Sequence, residues 1–268
     1  MKTKKSKKNH IRLKIGVAAL FLAGAAVFLE RLAKAAEEPE SINDDNPYLD
    51  GPYAGTDWDD ADALMQECEE LTLYERFGKR ALDKVVSFFG LVALAPLFGL
   101  IAVAIEIDDP GPVLFKQKRV GKDKNFFEIH KFRTMKRSAP TNVPIEKFED
   151  QEEYITRVGR FLRNTYLDEL PQLWDVFRGR MSLVGPRPVI WNTKELIEER
   201  EKYGANSVRP GITGIAQING GNTLDNIKKA QLDGQYVKTL RESNLGGFLA
   251  DLNCLAETAG VLNDSNDE

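Results

Sequence analysis

An uncharged, apolar run of 21 residues, 85–105, constrains this chain more than any other feature of its sequence. At about 1.5 Å per helical residue, such a run reaches about 30 Å, the thickness of the hydrocarbon layer of a bilayer. Pro96 lies in the middle of the run and predicts a kink, because proline lacks an N–H donor and clashes with the preceding turn. The run therefore predicts a membrane-embedded helix that bends at Ala95 and Pro96.

Basic residues flank this run on both sides, and positive charge marks the cytoplasmic side of a membrane. They are Arg76, Lys79, Arg80 and Lys84 before the run, and Lys116, Lys118 and Arg119 after it. With both ends on one side, the helix would enter, bend and return, so we predict a re-entrant helix over 82–106. A kinked helix that spans the membrane is the alternative that the sequence leaves open.

A shorter apolar run, 15–29, follows seven basic side chains among the first fourteen residues. It falls short of the ~20 residues that a spanning helix needs. The sequence Ala-Lys-Ala at 33–35 resembles the end of a secretory signal peptide. We favour an uncleaved anchor within 1–36, either spanning the membrane or lying in its interface. An exported protein with a cleaved signal is the alternative.

Charge is distributed in blocks around a net value of −4. Residues 37–75 hold fourteen acidic side chains and no Lys or Arg. Together with their prolines and glycines, these predict an acidic, partly disordered linker. Residues 116–137 carry nine Lys or Arg. Two distant cysteines and only two histidines exclude a disulfide framework and a zinc ribbon.

Periodic segments predict a mixed helix–strand domain over 76–262. Residues 113–115 and 126–132 predict the strands of a hairpin, and residues 145–163 and 168–177 predict helices. An apolar stripe near the C-terminus predicts a further helix, packed on the core rather than on a membrane. The stripe comprises Phe248, Leu252, Leu255, Ala259 and Leu262.

The strongest candidates for chemistry are Asp168 and Glu169, just ahead of Pro171. Because proline suits the first turn of a helix, the pair should lie at a helix N-terminus, where N–H groups and the dipole favour anions. A carboxylate in that position would stay ionised and could act as a nucleophile. Simple helix capping is the other interpretation of such a pair.

Several cations are candidates for binding phosphate. Two Pro/Gly-rich segments, 182–188 and 208–214, should be rigid loops that each present one arginine, which suits bidentate phosphate binding. Solvated surface charge or contact with anionic lipid heads is the alternative for each cation. The candidates for phosphate or nucleotide binding are Lys131, Arg133, Arg163, Arg187 and Arg209.

Three strings in this order closely resemble the bacterial sugar transferase family, the monotopic phosphoglycosyl transferases. They are Asp-Glu-Leu-Pro-Gln-Leu at 168–173, Met-Ser-Leu-Val-Gly-Pro-Arg-Pro at 181–188 and Arg-Pro-Gly-Ile-Thr-Gly-Ile-Ala-Gln-Ile-Asn-Gly at 209–220. The resemblance covers about 76–262 and leaves 263–268 as a tail. It implies an α/β (α+β), mostly helical fold: a compact, non-Rossmann catalytic domain with a Pro-kinked re-entrant membrane helix.

The resemblance also implies an activity, the transfer of a sugar-1-phosphate from a UDP-sugar to polyprenyl (undecaprenyl) phosphate with release of UMP. Asp168 would attack the β-phosphate and carry the phosphosugar covalently. Glu169 would position Mg²⁺ or accept a proton, and both carboxylates would hold the metal. The catalytic domain would lie on the cytoplasmic face of the inner membrane. The family starts exopolysaccharide, capsule, O-antigen or glycoprotein glycan assembly. Nucleic acid is not an expected partner, and a homo-oligomer is left open.

Several positions depart from the usual pattern of the family and leave the identity of the sugar open. Ala95 precedes Pro96 where serine is usual, and Asp175 stands where asparagine is frequent. Arg180 replaces an acidic residue, and Gly221 replaces a common arginine. Two other functions compete: a non-catalytic membrane-anchored scaffold or regulator, which predicts a damaged acidic pair, and a transferase that acts by direct, non-covalent transfer.

Overall fold

The computed structural model describes residues 30, 34, 42–48, 71–139 and 151–264. Over these residues the protein is a mixed helix–strand structure in which helix predominates, as the sequence predicts. The anchor predicted at 15–29, much of the acidic linker and residues 145–150 of a predicted helix lie outside the described residues.

The elements are numbered in chain order over the described part of the chain. The helices are α1 (Lys79–Asp108), α2 (Gln151–Tyr154), α3 (Arg157–Asn164), α4 (Gln172–Arg178), α5 (Lys194–Lys202), α6 (Ile215–Ile218), α7 (Asn226–Glu242) and α8 (Asn244–Asp264). The strands are β1 (Leu114–Val120), β2 (Phe126–Phe132), β3 (Ser182–Val184) and β4 (Gly211–Thr213). β1 and β2 form the predicted two-stranded sheet, although β1 continues beyond the predicted 113–115.

Helix α1 is the apolar helix that the sequence predicts, with Pro96 inside it and Ala95 buried. A π-helical turn, Tyr74–Gly78, precedes it. Together they form the one helix among the described residues that is long and apolar enough to cross a membrane. Only 28% of its most apolar window is buried within the protein. Because the core helix of a soluble protein would be mostly buried, this exposure favours a membrane environment.

The chain forms two compact units, and α1, β1 and β2 contribute residues to both. The first unit draws on Met1–Glu37, Phe89–Phe115 and His130–Pro171. The second draws on Glu38–Phe88, Lys116–Ile129 and Gln172–Glu268.

In the first unit, α3 packs a glycine against the chain that follows β2. A Cβ atom on Gly159 would lie 2.0 Å from the carbonyl oxygen of Thr134. Two side chains cap the start of α3: the Thr156 hydroxyl accepts a hydrogen bond from Gly159 N at 2.9 Å, and the Asp108 carboxylate accepts one from Val158 N at 2.9 Å. The contact of Asp108 joins α3 to the C-terminal end of α1.

The prediction of one helix over 145–163 is wrong over its described part. Ile155 forms an isolated β-bridge with Met135, and Thr156 has an extended backbone, with φ −72° and ψ 165°. Both conformations interrupt a helix. The chain therefore ends α2 at Tyr154 and begins α3 at Arg157.

Replacing Gly159 by Ala should destabilise the protein by about 2–3 kcal/mol, because the added methyl group would overlap a backbone carbonyl. Thermal unfolding in detergent would measure the loss. Gly260→Ala is the matched control, since no atom lies within 4 Å of a Cβ atom there and alanine favours a helix. Equal stability of the two variants would contradict the close approach of α3 to Thr134.

In the second unit, the two Pro/Gly-rich segments meet as a parallel pair of strands. Ser182 lies opposite Gly211, and Val184 opposite Thr213. The prediction that these segments are loops throughout is therefore wrong. Close packing of glycine backbones permits the pairing, since a Cβ atom on Gly211 would lie 2.1 Å from the nitrogen of Gly185.

The core of the second unit is built around β3 and includes residues from β2, α4, α7 and α8. Its buried members are Phe127, Ile129, Val176, Met181, Leu183, Val184, Val208, Tyr236, Val237, Leu240 and Cys254. Burial of this apolar surface is the main stabilising contribution to the unit.

Helix α8 turns a different face to this core from the one predicted. Leu252 and Ala259 of the predicted stripe are exposed, whereas Asp251 and Cys254 are buried. Leu255 packs against the core in part. The core-packing prediction is therefore wrong for Leu252 and Ala259, because hydrogen-bond partners of Asp251 draw the neighbouring face inwards.

A short piece of the acidic linker, residues 42–48, packs on the second unit. Ile42 and Tyr48 are buried in one apolar cluster with Phe126. Asn43 Oδ1 accepts a hydrogen bond from Phe126 N at 2.7 Å. This piece is an ordered part of a linker that the sequence predicts to be partly disordered.

Candidate active site

Asp168 and Glu169 lie in a single turn between α3 and α4. Tyr166 adopts the left-handed conformation, with φ 56°, and Leu167–Glu169 form a 3-10 turn. Within this turn Glu169 N donates to Tyr166 O at 3.2 Å. The acidic pair therefore lies in the first turn of a 3-10 helix just ahead of α4, which begins at Gln172, close to the helix start that the sequence predicts.

Lys131, at the end of β2, contacts both carboxylates. Its Nζ donates to Glu169 Oε1 at 2.6 Å and lies 3.9 Å from Asp168 Oδ2. The three side chains are only 13–20% exposed, so solvent screens their charges less than at an open surface. The sequence predicts the acidic pair and Lys131 separately, and the structure brings them together within the first unit.

The pKa of Asp168 is raised above its ordinary value, and burial is the largest cause. The positive charge of Lys131 lowers this pKa, the negative charge of Glu169 raises it, and Arg163 lowers it. A hydrogen bond from the backbone N–H of Asp168 also lowers this pKa. Ionisation of Asp168 is therefore supported by Lys131, Arg163 and this N–H group.

Arg163 is held beside Asp168 by a hydrogen bond to the chain after β2. Its Nε donates to the Thr134 hydroxyl at 2.9 Å. The residue is half-buried at the end of α3. A guanidinium held in this way can stabilise negative charge that gathers near Asp168.

Arg133 is engaged inside the protein. Its Nη1 and Nη2 donate to the carboxylate and the backbone carbonyl of Asp109, and its side chain is 9% exposed. The geometry therefore favours Lys131 and Arg163 over Arg133 as ligands of substrate phosphate.

Arg133→Lys and Asp109→Asn should each lower stability by about 2 kcal/mol, because each breaks a largely buried charged pair. Thermal unfolding measures this loss. The KM for a UDP-sugar should change by less than about twofold in both variants if neither residue binds substrate. A large rise in KM with Arg133→Lys, but not with Asp109→Asn, would indicate that Arg133 binds substrate phosphate.

Arg187 and Arg209 lie in the second unit, after β3 and before β4. Arg187 is exposed and Arg209 is half-buried. Arg209 Nε donates to Gly179 O at 2.9 Å. Their predicted roles in phosphate binding stay predictions.

The sequence profile of the bacterial sugar transferases matches residues 74–264. The chain belongs to the bacterial sugar transferase family. The matched residues include parts of both compact units and the whole of α1.

Curated relatives of this bacterial sugar transferase include two glucose phosphate transferases and an exopolysaccharide protein. It is 42% identical to the undecaprenyl-phosphate glucose phosphotransferase of Komagataeibacter xylinus, over 63% of the chain and 34% of that protein. It is 39% identical to the UDP-glucose:undecaprenyl-phosphate glucose-1-phosphate transferase of Escherichia coli K12, over 61% of the chain and 36% of that protein. It is 41% identical to the exopolysaccharide production protein PSS of Rhizobium leguminosarum, over 53% and 74%. The matched region is about a third of the first two relatives.

The acidic pair of this sugar transferase fits magnesium that is shared with a substrate. Within the described ranges, no group of three or more His, Cys, Asp or Glu could form an all-protein metal site. Mg²⁺ is often bound through only one or two carboxylates together with substrate phosphates. Asp168 and Glu169 supply two such carboxylates from adjacent positions.

Sequence reasoning missed a buried polar cluster at the base of α1 in the second unit. The Asp251 carboxylate accepts hydrogen bonds from Lys79 Nζ, Tyr74 Oη and Tyr236 Oη, each at 2.7 Å. The single acidic residue within the largely apolar segment 248–255, Asp251, was the available signal, since buried carboxylates need partners. Lys79 is therefore an internal ion-pair partner, although the sequence counts it as a charge that marks the cytoplasmic side.

Proposed function

We propose that this bacterial sugar transferase transfers a sugar-1-phosphate from a UDP-sugar to undecaprenyl phosphate, with glucose as the sugar. The proposal rests chiefly on a buried Asp168 carboxylate beside Glu169, with Lys131 contacting both. Relatives that carry glucose and undecaprenyl phosphate in their names support the choice of substrates.

In the first step, a carboxylate oxygen of Asp168 attacks the β-phosphorus of the UDP-sugar. A bond forms between this oxygen and phosphorus, and the bond from phosphorus to the bridging oxygen breaks, so UMP leaves with the electron pair. Attack of an anion on a diphosphate is opposed by charge repulsion. Lys131 and Arg163 offset the charge that accumulates.

In the second step, an oxygen of undecaprenyl phosphate attacks the same phosphorus. The bond to Asp168 breaks and its carboxylate is restored, which leaves the sugar on a lipid diphosphate. Glu169 would take a proton from the incoming lipid phosphate; the hydrogen bond from Lys131 Nζ to Glu169 Oε1 supports this role by orienting the carboxylate. Covalent storage on Asp168 divides one difficult transfer between two anions into two easier steps.

Asp168 and Glu169 are the residues that would hold Mg²⁺, together with the substrate phosphates. When bound, the metal would screen the charge of the diphosphate as a Lewis acid. Arg187 and Arg209 are proposed as further ligands of phosphate or nucleotide.

We also propose that α1 is re-entrant, bends at Ala95 and Pro96, and keeps the catalytic residues on the cytoplasmic face of the inner membrane. The apolar run 85–105 within α1 is only just long enough to cross the ~30 Å hydrocarbon layer when straight, so a bend at Pro96 would leave it too short to span. Two cations that precede the apolar run, Arg76 and Lys84, are exposed, as expected for the cytoplasmic side. Labelling of Cys68 from the periplasmic side would contradict this arrangement.

The activity is tested by UMP release from UDP-glucose, UDP-galactose and UDP-N-acetylglucosamine, with undecaprenyl phosphate and Mg²⁺. We expect UDP-glucose to react fastest. Without the lipid acceptor, UDP-glucose labelled in its β-phosphate should leave its label on the protein.

Three results would count against the proposal in different ways. No UMP from any UDP-sugar would favour a scaffold or regulator. UMP release that needs the acceptor and never labels the protein would favour direct transfer. A faster reaction with another sugar would refute the choice of glucose alone.

A further inference from the structure

The loop 185–188, which follows β3, holds its main chain in place through three carbonyl groups. Pro186 O accepts a hydrogen bond from Gly211 N at 2.9 Å. Arg187 O accepts one from Arg200 Nη1 at 2.9 Å, and Pro188 O accepts one from Arg119 Nη1 at 3.2 Å. Two prolines also fix backbone φ angles in the loop. Of residues 185–188, Arg187 is exposed and the other three are buried. The rigid main chain therefore presents the Arg187 side chain at the protein surface.

Arg200, on α5, reaches this loop from a buried position. It is 5% exposed, and its partner Asp233, on α7, is 1% exposed. Arg200 Nε and Nη2 lie 2.8 and 2.7 Å from Asp233 Oδ2. The planar guanidinium is therefore oriented by the carboxylate, and its remaining nitrogen, Nη1, points to the carbonyl of Arg187. A lysine could not make both contacts in this geometry, because its ammonium is a single point charge.

A second ion pair in the same unit has similar chemistry but a different third partner. Arg241 Nε and Nη2 lie 3.1 and 3.2 Å from the Glu75 carboxylate, and Nη2 also donates to the Ser207 hydroxyl at 2.9 Å. The side chains of Arg241 and Glu75 are 11% and 10% exposed. Arg241 thus ties elements of the fold together without bonding the loop that carries Arg187.

We propose that Arg200, oriented by Asp233, is a positioning residue that holds the backbone of Arg187 so that its guanidinium binds a phosphate of the nucleotide sugar. The inference rests on the proposed function for the identity of the ligand. Arg200 itself does not touch substrate, and acts through the carbonyl of Arg187.

The test measures the dissociation constant for UDP by calorimetry and, separately, KM and kcat for UMP release. Arg200→Lys should weaken UDP binding and raise KM about tenfold, as expected when one hydrogen bond to a charged group loses its geometry. The kcat should change by less than about threefold, because the substitution weakens binding of the nucleotide sugar and leaves the attacking carboxylate of Asp168 unchanged. Arg241→Lys is the matched control and should lower the Tm while leaving KM and UDP affinity unchanged.

A double-mutant cycle separates positioning from general loss of structure. In an Arg187→Ala background, Arg200→Lys should change UDP affinity by less than about twofold, because the side chain through which it acts is gone. Should Arg200→Lys fail to fold, Asp233→Asn replaces it in the cycle, since it keeps the volume and removes the orienting charge.

Two results with the variants would overturn the inference: a full tenfold effect of Arg200→Lys in the Arg187→Ala background, or an equal loss of UDP affinity in Arg241→Lys. A wild-type protein that does not bind UDP would also overturn it. A protein that binds UDP but releases no UMP would refute the proposed transfer alone, and the cycle in UDP affinity would still decide the role of Arg200.

Discussion

Asp168→Asn is expected to lower UMP release at least about a thousandfold, because the variant lacks the carboxylate oxygen that attacks the β-phosphorus. The residual rate would come from binding and from the charges of Lys131 and Arg163. The measurement is UMP release from UDP-glucose with undecaprenyl phosphate, together with retention of β-phosphate label on the protein. The label should be absent from the variant.

The same substitution should not destabilise the protein at neutral pH. Burial raises the pKa of Asp168 in the folded state, so the folded protein binds a proton more readily than the unfolded chain does. The ionised carboxylate therefore costs stability above the raised pKa, and this cost disappears as the pH falls below it. The amide that replaces the carboxylate has no charge to bury, so thermal unfolding at pH 7–8 should show an equal or higher Tm. An inactive and stable variant separates loss of the nucleophile from loss of the fold.

Glu169→Gln is the matched control for Asp168→Asn. It removes a charge from the neighbouring position, keeps the side-chain volume, and leaves the attacking oxygen in place. We expect it to impair turnover but to preserve labelling of the protein by the sugar phosphate. Near-normal turnover by Asp168→Asn would show that Asp168 is not the nucleophile. Labelling that is lost in Glu169→Gln but kept in Asp168→Asn would show the same.

The local parts of the site were predictable from the sequence because each is formed by residues that lie close together in the chain. The pair Asp168–Glu169 is adjacent in the chain, and the hairpin that ends at Lys131 has the alternation and turn residues of paired strands. The apolar length of α1 needs only a count of residues. None of these inferences depends on which distant segment the chain meets in space.

Features that the sequence did not predict share a different cause, the choice among partners that are distant in the sequence. Arg133 has the same charge and a similar setting to Lys131, and only the fold gives it Asp109 as a partner. The strand pairing of 182–184 with 211–213 was hidden because proline and glycine usually indicate loops. The 3-10 turn that holds Asp168 ahead of α4 was not predictable either, because it follows the left-handed backbone of Tyr166.

The buried face of α8 illustrates the same limit. An apolar stripe indicates which face of a helix is suited to the core, but a buried charge with enough partners can outweigh it. Asp251 has three donors, Lys79, Tyr74 and Tyr236, and two of these lie more than 170 residues away in the sequence. Sequence periodicity predicts that Asp251 lies at the surface, whereas in the structure it forms a buried ion pair with Lys79.

Lys131→Met is expected to lower kcat/KM about a hundredfold at neutral pH, a typical effect of removing one group that stabilises developing charge. The change should also move the acid side of the pH–rate profile. Lys131 lowers the pKa of Asp168, so its loss raises that pKa further. Because the nucleophile must be ionised, activity should then be lost at a higher pH as the solution is acidified. Raising the pH should recover part of the rate, by restoring the carboxylate but not the missing positive charge.

Lys116→Met is the matched control for Lys131→Met. Lys116 lies on the other strand of the same hairpin and pairs with Glu128 at 3.1 Å, and these side chains are 31% and 24% exposed. Its loss should leave the pH–rate profile unchanged, since neither Lys116 nor Glu128 is among the charges that shift the pKa of Asp168. Lys131→Arg should keep the acid side of the profile close to that of the wild type, because the positive charge is retained. An unshifted profile in Lys131→Met would mean that Asp168 is kept ionised by other groups, and Arg163 and the backbone N–H of Asp168 are the ones that also lower its pKa.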